Sequence, residues 1–406
     1  MGSAIAATEV DVLIVGAGVV GLTLAHALHK RGISCQIFER DESIDSRGNG
    51  WGITIHWARH ALKKCIPEVA YQALGTITVD QDMKKKDPGS YKFFNLGTLE
   101  RKFAAAVDPE RMRIRREGLR KLLVSGLRIL WGVKIDNNIS PYSDSNGVCL
   151  GLPDGSQWRG KLLVGADGSG STIRRYLCPD HADNIPLPLR FIGVVVMLSP
   201  EATAAITDVI DPLTFQGCHP VSGVYMFWCL VSTPELNGSA GSPQPYYQAQ
   251  VCVSWKPREG EGDVPATSAG KVARIKELCA DMAAPVKKMV DSIPESSEAI
   301  GVKLQDWPCL DWDNRGGRVT LAGDSAHAMT MYRGEAANFG IVDAADLAEA
   351  IAAFTKDGVP QAQAIEDYEL KLRMRSAKGV LNSRQACIDA HDLATLTPES
   401  PLLCNR

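Results

Sequence analysis

Three glycines and one acidic residue near the start of the chain have the types and spacing of a nucleotide-binding site. Gly16, Gly18 and Gly21 follow the apolar residues 10–15, and Glu39 closes a second apolar run 18 residues after Gly21. In this pattern the first glycine permits a tight turn, the second lets the backbone approach a pyrophosphate, and the third lets a helix pack closely against a strand. The helix N-terminus would offer N–H groups to the phosphates. A dinucleotide site is therefore predicted, and Glu39 disfavours NADP there because it would repel the 2′-phosphate.

The elements that must position these residues form one β-α-β unit. Residues 10–15 and 33–38 are short, apolar and β-branched, which is typical of buried parallel strands. Between them Leu22, Leu24 and Leu28 give a helix-like apolar face. The alternative, a glycine-rich turn with a purely structural role, does not account for strand, helix, second strand and acidic residue in one register.

Two further motifs each follow a strand-like segment. Asp167-Gly168 follows residues 162–166, and Gly323-Asp324 follows residues 318–322, with a helix predicted over residues 336–354. Between the two motifs lie four strand-like segments separated by turns, which predict a second, mostly antiparallel sheet. These segments are residues 187–198, 213–218, 224–231 and 249–255.

The three motifs together resemble those of the group A FAD-dependent monooxygenases, the para-hydroxybenzoate/salicylate hydroxylase-like family, and most of all its fungal secondary-metabolite members. The resemblance covers nearly the whole chain and includes Arg40 after Glu39. It implies an α/β fold: a Rossmann-like FAD-binding domain, an inserted mostly antiparallel β-sheet substrate domain and a C-terminal helical region. The implied FAD-binding domain comprises residues 1–77, 101–180 and 300–350. The substrate-binding domain comprises residues 78–100 and 181–299, and the helical region residues 351–406.

The resemblance also assigns residues to the cofactor. The residues expected to bind FAD are Gly16, Gly18, Gly21, Glu39, Arg40, Gly52, Arg116, Asp167, Asp324, Gly334 and Ala337. A helix beginning at Ala336 would point its positive end at the N1–C2=O edge of the flavin. Relatives commonly have Pro and Gly where this chain has Met331 and Glu335, and we expect the Glu335 side chain to turn away from flavin N1.

Arg190 and Tyr225 are the predicted substrate-binding, catalytic pair. Several fungal relatives place an Arg and a Tyr on two such strands, and the separation of 35 residues suits that pattern. Arg190 would hold a substrate oxyanion, and Tyr225 would hydrogen-bond to it. The alternatives are an edge-strand charge for Arg190 and a core aromatic for Tyr225. His327 is either a general base or, as in relatives, a structural residue.

The activity that the resemblance implies is a monooxygenation that consumes NAD(P)H, of which we expect NADPH, and O2. One oxygen atom would pass through a flavin C4a-hydroperoxide into an aromatic (phenolic or indolic) or polyunsaturated natural product, by hydroxylation, dearomatisation or epoxidation. Two alternatives stay open. One is non-oxygenating flavin chemistry in a cyclase or isomerase. The other is a nicotinamide dehydrogenase, which would not need the Gly323-Asp324 motif.

Composition limits the partners. A basic cluster comprises Arg111, Arg113, Arg115, Arg116 and Arg120. The chain as a whole has 44 Lys and Arg against 47 Asp and Glu, and this net charge of −3 disfavours nucleic acid as the partner of the cluster. The sequence contains no apolar run of 18 residues, so we expect no membrane insertion. The 11 cysteines contain no Cys-x-x-Cys pair, which indicates reduced thiols in the cytoplasm. No third ligand accompanies His56 and His60, so no metal site is predicted. We expect the protein to be a monomer or a homodimer.

Overall fold

A five-stranded parallel sheet joins the segments that carry the three motifs. The computed structural model describes residues 8–46, 51–79, 90–106, 108–135, 139–141 and 147–404. From edge to edge the strands are Val319–Leu321, Leu162–Gly165, Val12–Val15, Cys35–Phe38 and Ile129–Leu130. All neighbouring strands are parallel. The first three in this order are wholly buried, which explains why their sequences are continuously apolar.

Helices complete the core around this sheet. Val19–Lys30 packs against the 21-residue helix Ala336–Lys356, which in turn packs against the 29-residue helix Gln361–Asp389. The shorter α-helices of this part of the chain are Arg59–Cys65, Glu68–Ala73, Arg116–Val124, Thr172–Leu177 and Asp324–His327. Leu74–Ile77, Pro179–His181 and Met331–Arg333 are 3-10 turns.

Smaller sheets flank the parallel sheet. A four-stranded sheet has the order Thr8–Glu9, Gln157–Gly160, Val148–Gly151 and Ile139–Pro141. Two antiparallel pairs are Gly52–Ile55 with Met112–Arg115, and Ile185–Pro186 with Gln305–Asp306. The first of these pairs brings Gly52, one of the residues expected to bind FAD, beside the basic cluster.

A seven-stranded sheet forms the second layer. Its order is Ala299–Gly301, Arg190–Leu198, Tyr247–Trp255, Tyr225–Ser232, Thr214–Cys218, Ser90–Asn95 and Arg101–Ala106. Only Thr214–Cys218 and Ser90–Asn95 pair in parallel among these described strands. Arg101–Ala106 pairs with Ser90–Asn95, so it lies in this sheet rather than on the FAD-binding side of the boundary drawn at residue 101.

Helices cover one face of the seven-stranded sheet. They are Pro200–Thr207, Ser268–Leu278 and Ala284–Asp291, and the short helix Pro234–Asn237 follows the strand Tyr225–Ser232. Pro285 lies in the first turn of Ala284–Asp291, where the missing N–H of proline costs no helical hydrogen bond. The sequence over residues 271–290 predicts one amphipathic helix with a kink or break at Pro285, and this proline explains why the structure has two helices instead.

The predicted α/β fold class is confirmed by this arrangement. The sequence also predicts a glycine-containing loop at residues 48–50 and a turn at residues 84–89, and both lie outside the described residues. In the part of the chain that the structure describes, none of the helices combines the length and the hydropathy that a membrane span requires.

Candidate active site

A cavity of about 920 Å³ is lined by residues of both layers. One part of its wall carries the glycine motif and the two later motifs. The other part carries aromatic side chains beneath the seven-stranded sheet, namely Trp51, Tyr91, Phe191, Tyr225, Phe227 and Tyr332. The volume is in the range of small-molecule and cofactor sites.

The three glycines of the first motif differ in what surrounds them. Gly16 has φ +111°, and a Cβ there would lie 2.3 Å from the Ala166 carbonyl oxygen. A Cβ on Gly21 would lie 2.0 Å from the Gly16 carbonyl oxygen. A Cβ on Gly18 would meet no protein atom within 4 Å, because Gly18 borders the cavity. Gly16 and Gly21 are thus required by the fold, whereas Gly18 leaves room for a ligand.

The acidic end of the β-α-β unit is fixed by backbone hydrogen bonds. Glu39 is 3% exposed, and its Oε2 accepts a hydrogen bond from the Ala17 N–H at 2.7 Å. Its Oε1 accepts one from the Asp41 N–H at 3.0 Å. Arg40 is exposed and lines the same cavity. Both residues therefore lie where the sequence predicts a ribose.

The two later motifs bring their acidic residues to the cavity. Asp167 accepts hydrogen bonds from the Thr172 N–H at 2.7 Å and from Ser171 Oγ at 2.5 Å, so it caps the helix Thr172–Leu177. Burial raises the pKa of Asp167. Asp324 faces the open cavity, and removal from bulk solvent raises the pKa of its carboxyl while nearby His327 and Arg116 oppose the rise. Arg116 and Asp324 both line the cavity.

One buried arginine ties these segments together. Arg174 is 1% exposed, and its guanidinium donates hydrogen bonds to main-chain oxygens on three segments. The acceptors are Ser169 at 2.5 Å, Ala182 at 2.8 Å, and Ser325 at 3.0 Å. The guanidinium carbon also lies 4.9 Å from the ring centroid of Trp307. The side chain thus links the second and third motifs.

The segment before the helix Ala336–Lys356 carries a buried ion pair. Gly334, Glu335 and Ala337 line the cavity, and no side chain caps the helix. Glu335 pairs with Arg333 through two contacts, Nε–Oε2 at 2.9 Å and Nη2–Oε1 at 3.1 Å. Arg333 also donates a hydrogen bond to the Pro401 carbonyl. The Glu335 carboxylate is therefore held by Arg333.

Cross-strand rows of the seven-stranded sheet form the roof of the cavity. Ser254 lies opposite both Phe191 and Tyr225, so these residues share one face. The next row on this face contains Gly193, where the absence of a side chain makes room for the Trp51 ring. Tyr225 is 3% exposed, and its hydroxyl donates a hydrogen bond to Gln216 Oε1 at 2.6 Å. Tyr225 thus lines the cavity, as the sequence prediction requires.

Arg190 does not lie with Tyr225. It lies opposite Trp255 on the other face of the sheet, which packs against the helices. Its Nη2 lies 3.2 Å from a carboxylate oxygen of the exposed Asp263, and Arg190 is absent from the cavity wall. Side chains alternate between the two faces of a strand, so Phe191 reaches the cavity and its neighbour Arg190 does not. The assignment of Arg190 to a substrate oxyanion is therefore corrected.

Comparison with known proteins identifies matching families and relatives. Residues 146–383 match the family described as FAD binding domain, and residues 11–132 match the family described as FAD dependent oxidoreductase. The FAD-dependent monooxygenase dbaB of Emericella nidulans is 43% identical over 352 residues, which cover 86% of this chain and 88% of that protein. The chain belongs to the FAD-dependent monooxygenases.

Solved structures share the fold of this monooxygenase. The 2,6-dihydroxypyridine-3-hydroxylase from Arthrobacter nicotinovorans has a TM-score of 0.75 at 16% identity, covering 99% of this chain and 98% of its own. HpxO of Klebsiella pneumoniae, complexed with FAD and uric acid, has a TM-score of 0.71 at 19% identity, covering 95% and 90%. At these identities the likeness concerns the fold alone.

The cavity fits the FAD that this family binds. The helices Val19–Lys30 and Ala336–Lys356 both begin at the cavity wall without a side-chain cap, so their N–H groups and positive ends are available to a ligand. A pyrophosphate and the electron-rich edge of a flavin are the matching groups. The free space at Gly18 lies beside the first of these helix ends.

The buried ion pair gives a prediction for the flavin potential. Glu335→Gln removes the negative charge beside the cavity but keeps a hydrogen-bonding partner for Arg333. The remaining positive charge should stabilise anionic reduced flavin, and we expect the midpoint potential to rise by about 30 mV, or ~1.4 kcal/mol for a two-electron couple. Dye-equilibrated titration measures this. Glu349→Gln, at an exposed position of the same helix, is the control. An equal midpoint potential in both variants would show that Glu335 has only a structural role as the partner of Arg333.

His327 belongs to the core of the monooxygenase. It is fully buried, and its Nε2 lies 2.5 Å from Asp343 Oδ2, while Asp343 Oδ1 accepts a hydrogen bond from Arg375 at 2.8 Å. Burial lowers the pKa of His327, but Asp343 outweighs burial and raises it. Asp343 also accepts the Gly323 N–H at 3.0 Å. This network fixes the third motif and favours the structural alternative for His327.

A directed chain of hydrogen bonds leaves the cavity wall at Tyr332. The Tyr332 hydroxyl donates to Ser254 Oγ at 2.7 Å, and Ser254 Oγ lies 2.8 Å from His391 Nε2. His391 Nδ1 lies 2.7 Å from the Cys387 carbonyl, which only accepts, so the proton is on Nδ1 and Nε2 accepts from Ser254. Burial lowers the pKa of His391 to about 4. The chain therefore orients the Tyr332 hydroxyl beside a neutral imidazole.

The neutral His391 makes stability depend on pH. The imidazole titrates near 6.5 in the unfolded chain and near 4 in the folded protein. Between these values the unfolded state binds a proton that the folded state excludes, so the free energy of unfolding falls as the pH falls, by at most about 1.4 kcal/mol per pH unit. Urea unfolding from pH 7 to 4 should show a shallower decline for His391→Gln than for the wild type. Parallel curves for the two proteins would contradict this prediction.

Sequence reasoning missed several residues of the site. Ser254 and His391 are 137 residues apart, and no spacing signal joins them to Tyr332. The sequence places Arg113 only within the basic cluster, with no signal that it reaches the cavity. Of the two histidines considered for a metal, His56 is buried and His60 is exposed. Within the described ranges, no group of three or more His, Cys, Asp or Glu side chains could hold a metal ion.

Proposed function

We propose that this monooxygenase uses NAD(P)H and O2 to insert one oxygen atom into an aromatic or polyunsaturated natural product. The observation that carries the proposal is one continuous cavity of about 920 Å³, whose wall combines the motif residues with aromatic side chains. Flat aromatic surfaces favour a planar, electron-rich ligand. The same space thus brings a substrate beside the region assigned to the flavin.

The chain's own residues would position the cofactor. Glu39 would bind the adenosine ribose, and the N-terminus of Val19–Lys30 would bind the pyrophosphate beside Gly18. Asp324 and Arg116 would bind the ribityl–pyrophosphate region. The backbone of Gly334 to Ala337, with Gly52 opposite, would border the flavin ring. FAD bound there would supply the redox chemistry that links NAD(P)H and O2.

The remaining roles concern the substrate. Tyr225 and Tyr332 present hydroxyl-bearing rings 5.0 Å apart, centroid to centroid, at the cavity wall. Burial raises the pKa of Tyr332 well above its ordinary value, so this hydroxyl stays protonated and keeps its hydrogen bond to Ser254 Oγ. We propose that Tyr225 orients the substrate ring and that the aromatic wall excludes water, which otherwise favours loss of peroxide.

Domain organisation and compartment follow as proposals. The two sheet layers support an FAD-binding domain built from separated segments and a substrate domain inserted between them, with the strand Arg101–Ala106 moved to the latter. All 11 cysteines are free thiols, which supports a reducing compartment such as the cytoplasm.

A reduction screen tests the proposed function. The FAD-loaded protein is mixed anaerobically with NADPH, or with NADH, in the presence of aromatic and polyene metabolites, and the loss of flavin absorbance is followed by stopped flow. We expect a subset of compounds to accelerate flavin reduction. A cyclase or isomerase would bind its substrate without this acceleration, and no accelerating compound in a broad screen would count against the proposal.

A further inference from the structure

Arg113 is a buried cation at the cavity wall. It lies on Met112–Arg115 and is 7% exposed. Its Nη1 donates a hydrogen bond to Thr54 Oγ1 at 3.0 Å, and its Nη2 lies 2.7 Å from Cys229 Sγ. The guanidinium carbon lies 5.7 Å from the ring centroid of Phe227. The guanidinium thus lies between the strand pair of the first layer and the roof of the cavity.

None of the described carboxylates neutralises this cation. No acidic side chain of the described residues forms an ion pair with it within 4.0 Å, and its Nε is buried without a hydrogen-bond partner. The thiol at Nη2 does not supply the charge, because burial raises the pKa of Cys229 and keeps it protonated. Gln250 Oε1 is already occupied, since it accepts the Gly52 N–H at 3.1 Å and a longer hydrogen bond from Cys229 Sγ at 3.7 Å.

Other buried arginines of the chain are satisfied differently. Arg120 lies 3.0 Å from a carboxylate oxygen of Asp41, and Arg333 pairs with Glu335 through two contacts. Arg174 has no ion pair, but each of its guanidinium nitrogens donates to an oxygen. Arg113 has one oxygen and one sulfur as partners. A buried charge without an opposite charge is costly, so the site is suited to an anion from outside the chain.

The structure also keeps this position open for the guanidinium. A Cβ on Gly52 would lie 2.4 Å from Arg113 Nη2, so only glycine lets the side chain cross that backbone. Thr54, Phe227 and Arg113 all line the cavity that contains the aromatic wall. An anion held here would therefore lie against an aromatic ring and beside the predicted flavin site.

We propose that Arg113 binds an anionic oxygen of the substrate, a phenolate or a carboxylate on an aromatic ring. This inference rests on the proposed function, because it places the substrate in the aromatic part of the cavity. Arg113 thus has the role that the sequence analysis assigned to Arg190, which is to bind a substrate oxyanion from the cavity face. A planar guanidinium suits such an oxygen because its N–H groups form charge-assisted hydrogen bonds.

Matched anionic and neutral probes test the assignment. Benzoate is compared with benzamide, and pentafluorophenolate with pentafluoroanisole, by calorimetric titration of the FAD-loaded protein at a pH where both acids are ionised. We expect the wild type to bind at least one anion about tenfold or more tightly than its neutral partner. Arg113→Gln should weaken anion binding by about 10- to 100-fold and leave the neutral probe within about threefold. If Arg113→Gln weakens anion binding in only one of the two probe pairs, the anion of that pair, carboxylate or phenolate, is the preferred group.

Two variants guard the interpretation. Arg113→Lys keeps the positive charge and should retain part of the anion preference. This variant still tests the assignment if Arg113→Gln fails to fold. Arg190→Gln carries the same substitution on the opposite face of the sheet and should keep the wild-type preference. No anion preference in the wild type, or an unchanged preference in Arg113→Gln, would overturn the assignment. Absent NAD(P)H oxidation would instead count against the proposed function, because the titrations require only bound FAD.

Discussion

Gly18→Val is expected to abolish FAD binding while leaving the fold intact. The Gly18 backbone is extended, with φ −79° and ψ 179°, and therefore accepts a β-branched residue. A Cβ at this position meets no protein atom within 4 Å, and the branched side chain would enter the space beside the N-terminus of Val19–Lys30. We expect FAD affinity to fall by at least about 100-fold, or ~2.7 kcal/mol, because the side chain displaces the pyrophosphate from the helix N–H groups. Fluorescence titration of the apoprotein measures the affinity.

Two companion variants separate cofactor binding from folding. Gly21→Ala places a Cβ 2.0 Å from the Gly16 carbonyl oxygen, and we expect it to destabilise the apoprotein by about 1–3 kcal/mol. Gly75→Ala, at an exposed position with no atom within 4 Å, should change neither property. In Gly18→Val the unfolding free energy of the apoprotein should stay within about 1 kcal/mol of the wild type. Normal FAD binding by the Gly18→Val protein would contradict the placement of the pyrophosphate at this helix N-terminus.

Arg174→Met is expected to cause the largest loss of stability. The substitution preserves an apolar stem against Trp307 but removes every hydrogen bond of the guanidinium. The carbonyl oxygens of Ser169, Ala182 and Ser325 then lose a buried donor. We expect the free energy of unfolding, measured with urea, to fall by about 3–5 kcal/mol. FAD affinity should fall as well, because the second and third motifs lose their common support.

The next residue provides a matched control for Arg174→Met. Arg175 is exposed, and it donates to the Gly170 carbonyl at 3.1 Å and lies 3.9 Å from Asp183. Arg175→Met should change the unfolding free energy by less than about 0.5 kcal/mol. Equal stability losses in the two variants would show that the contacts of Arg174 are not responsible.

Local signals were enough to predict the first motif and its elements. The glycines at 16, 18 and 21, the apolar runs and Glu39 all act within one β-α-β unit, whose strands are Val12–Val15 and Cys35–Phe38. The break in the helical pattern near Pro285 was predictable for the same reason. Backbone conformation and nearest-neighbour packing decide such features, and both are encoded in adjacent residues.

The substrate part of the site depends on which face of a strand meets the cavity. Alternation predicts that Arg190 and Ile192 share a face, but it does not reveal that this face packs on helices. The register with Tyr247–Trp255 decides that Phe191 reaches the cavity instead. The partners of Arg113 are likewise distant in sequence, 59 residues away at Thr54 and 116 residues away at Cys229. Contacts of this kind follow only from the assembled sheets.

Incorporation of labelled oxygen tests the central claim most directly. The FAD-loaded protein is supplied with NADPH, ¹⁸O₂ and a compound that accelerates flavin reduction, and the product is analysed by mass spectrometry. The assignment to oxygen insertion predicts a product that carries one ¹⁸O atom from O2 and is absent when Gly18→Val replaces the wild type. A product that forms with no ¹⁸O from O2, or without consumption of NAD(P)H, would contradict it.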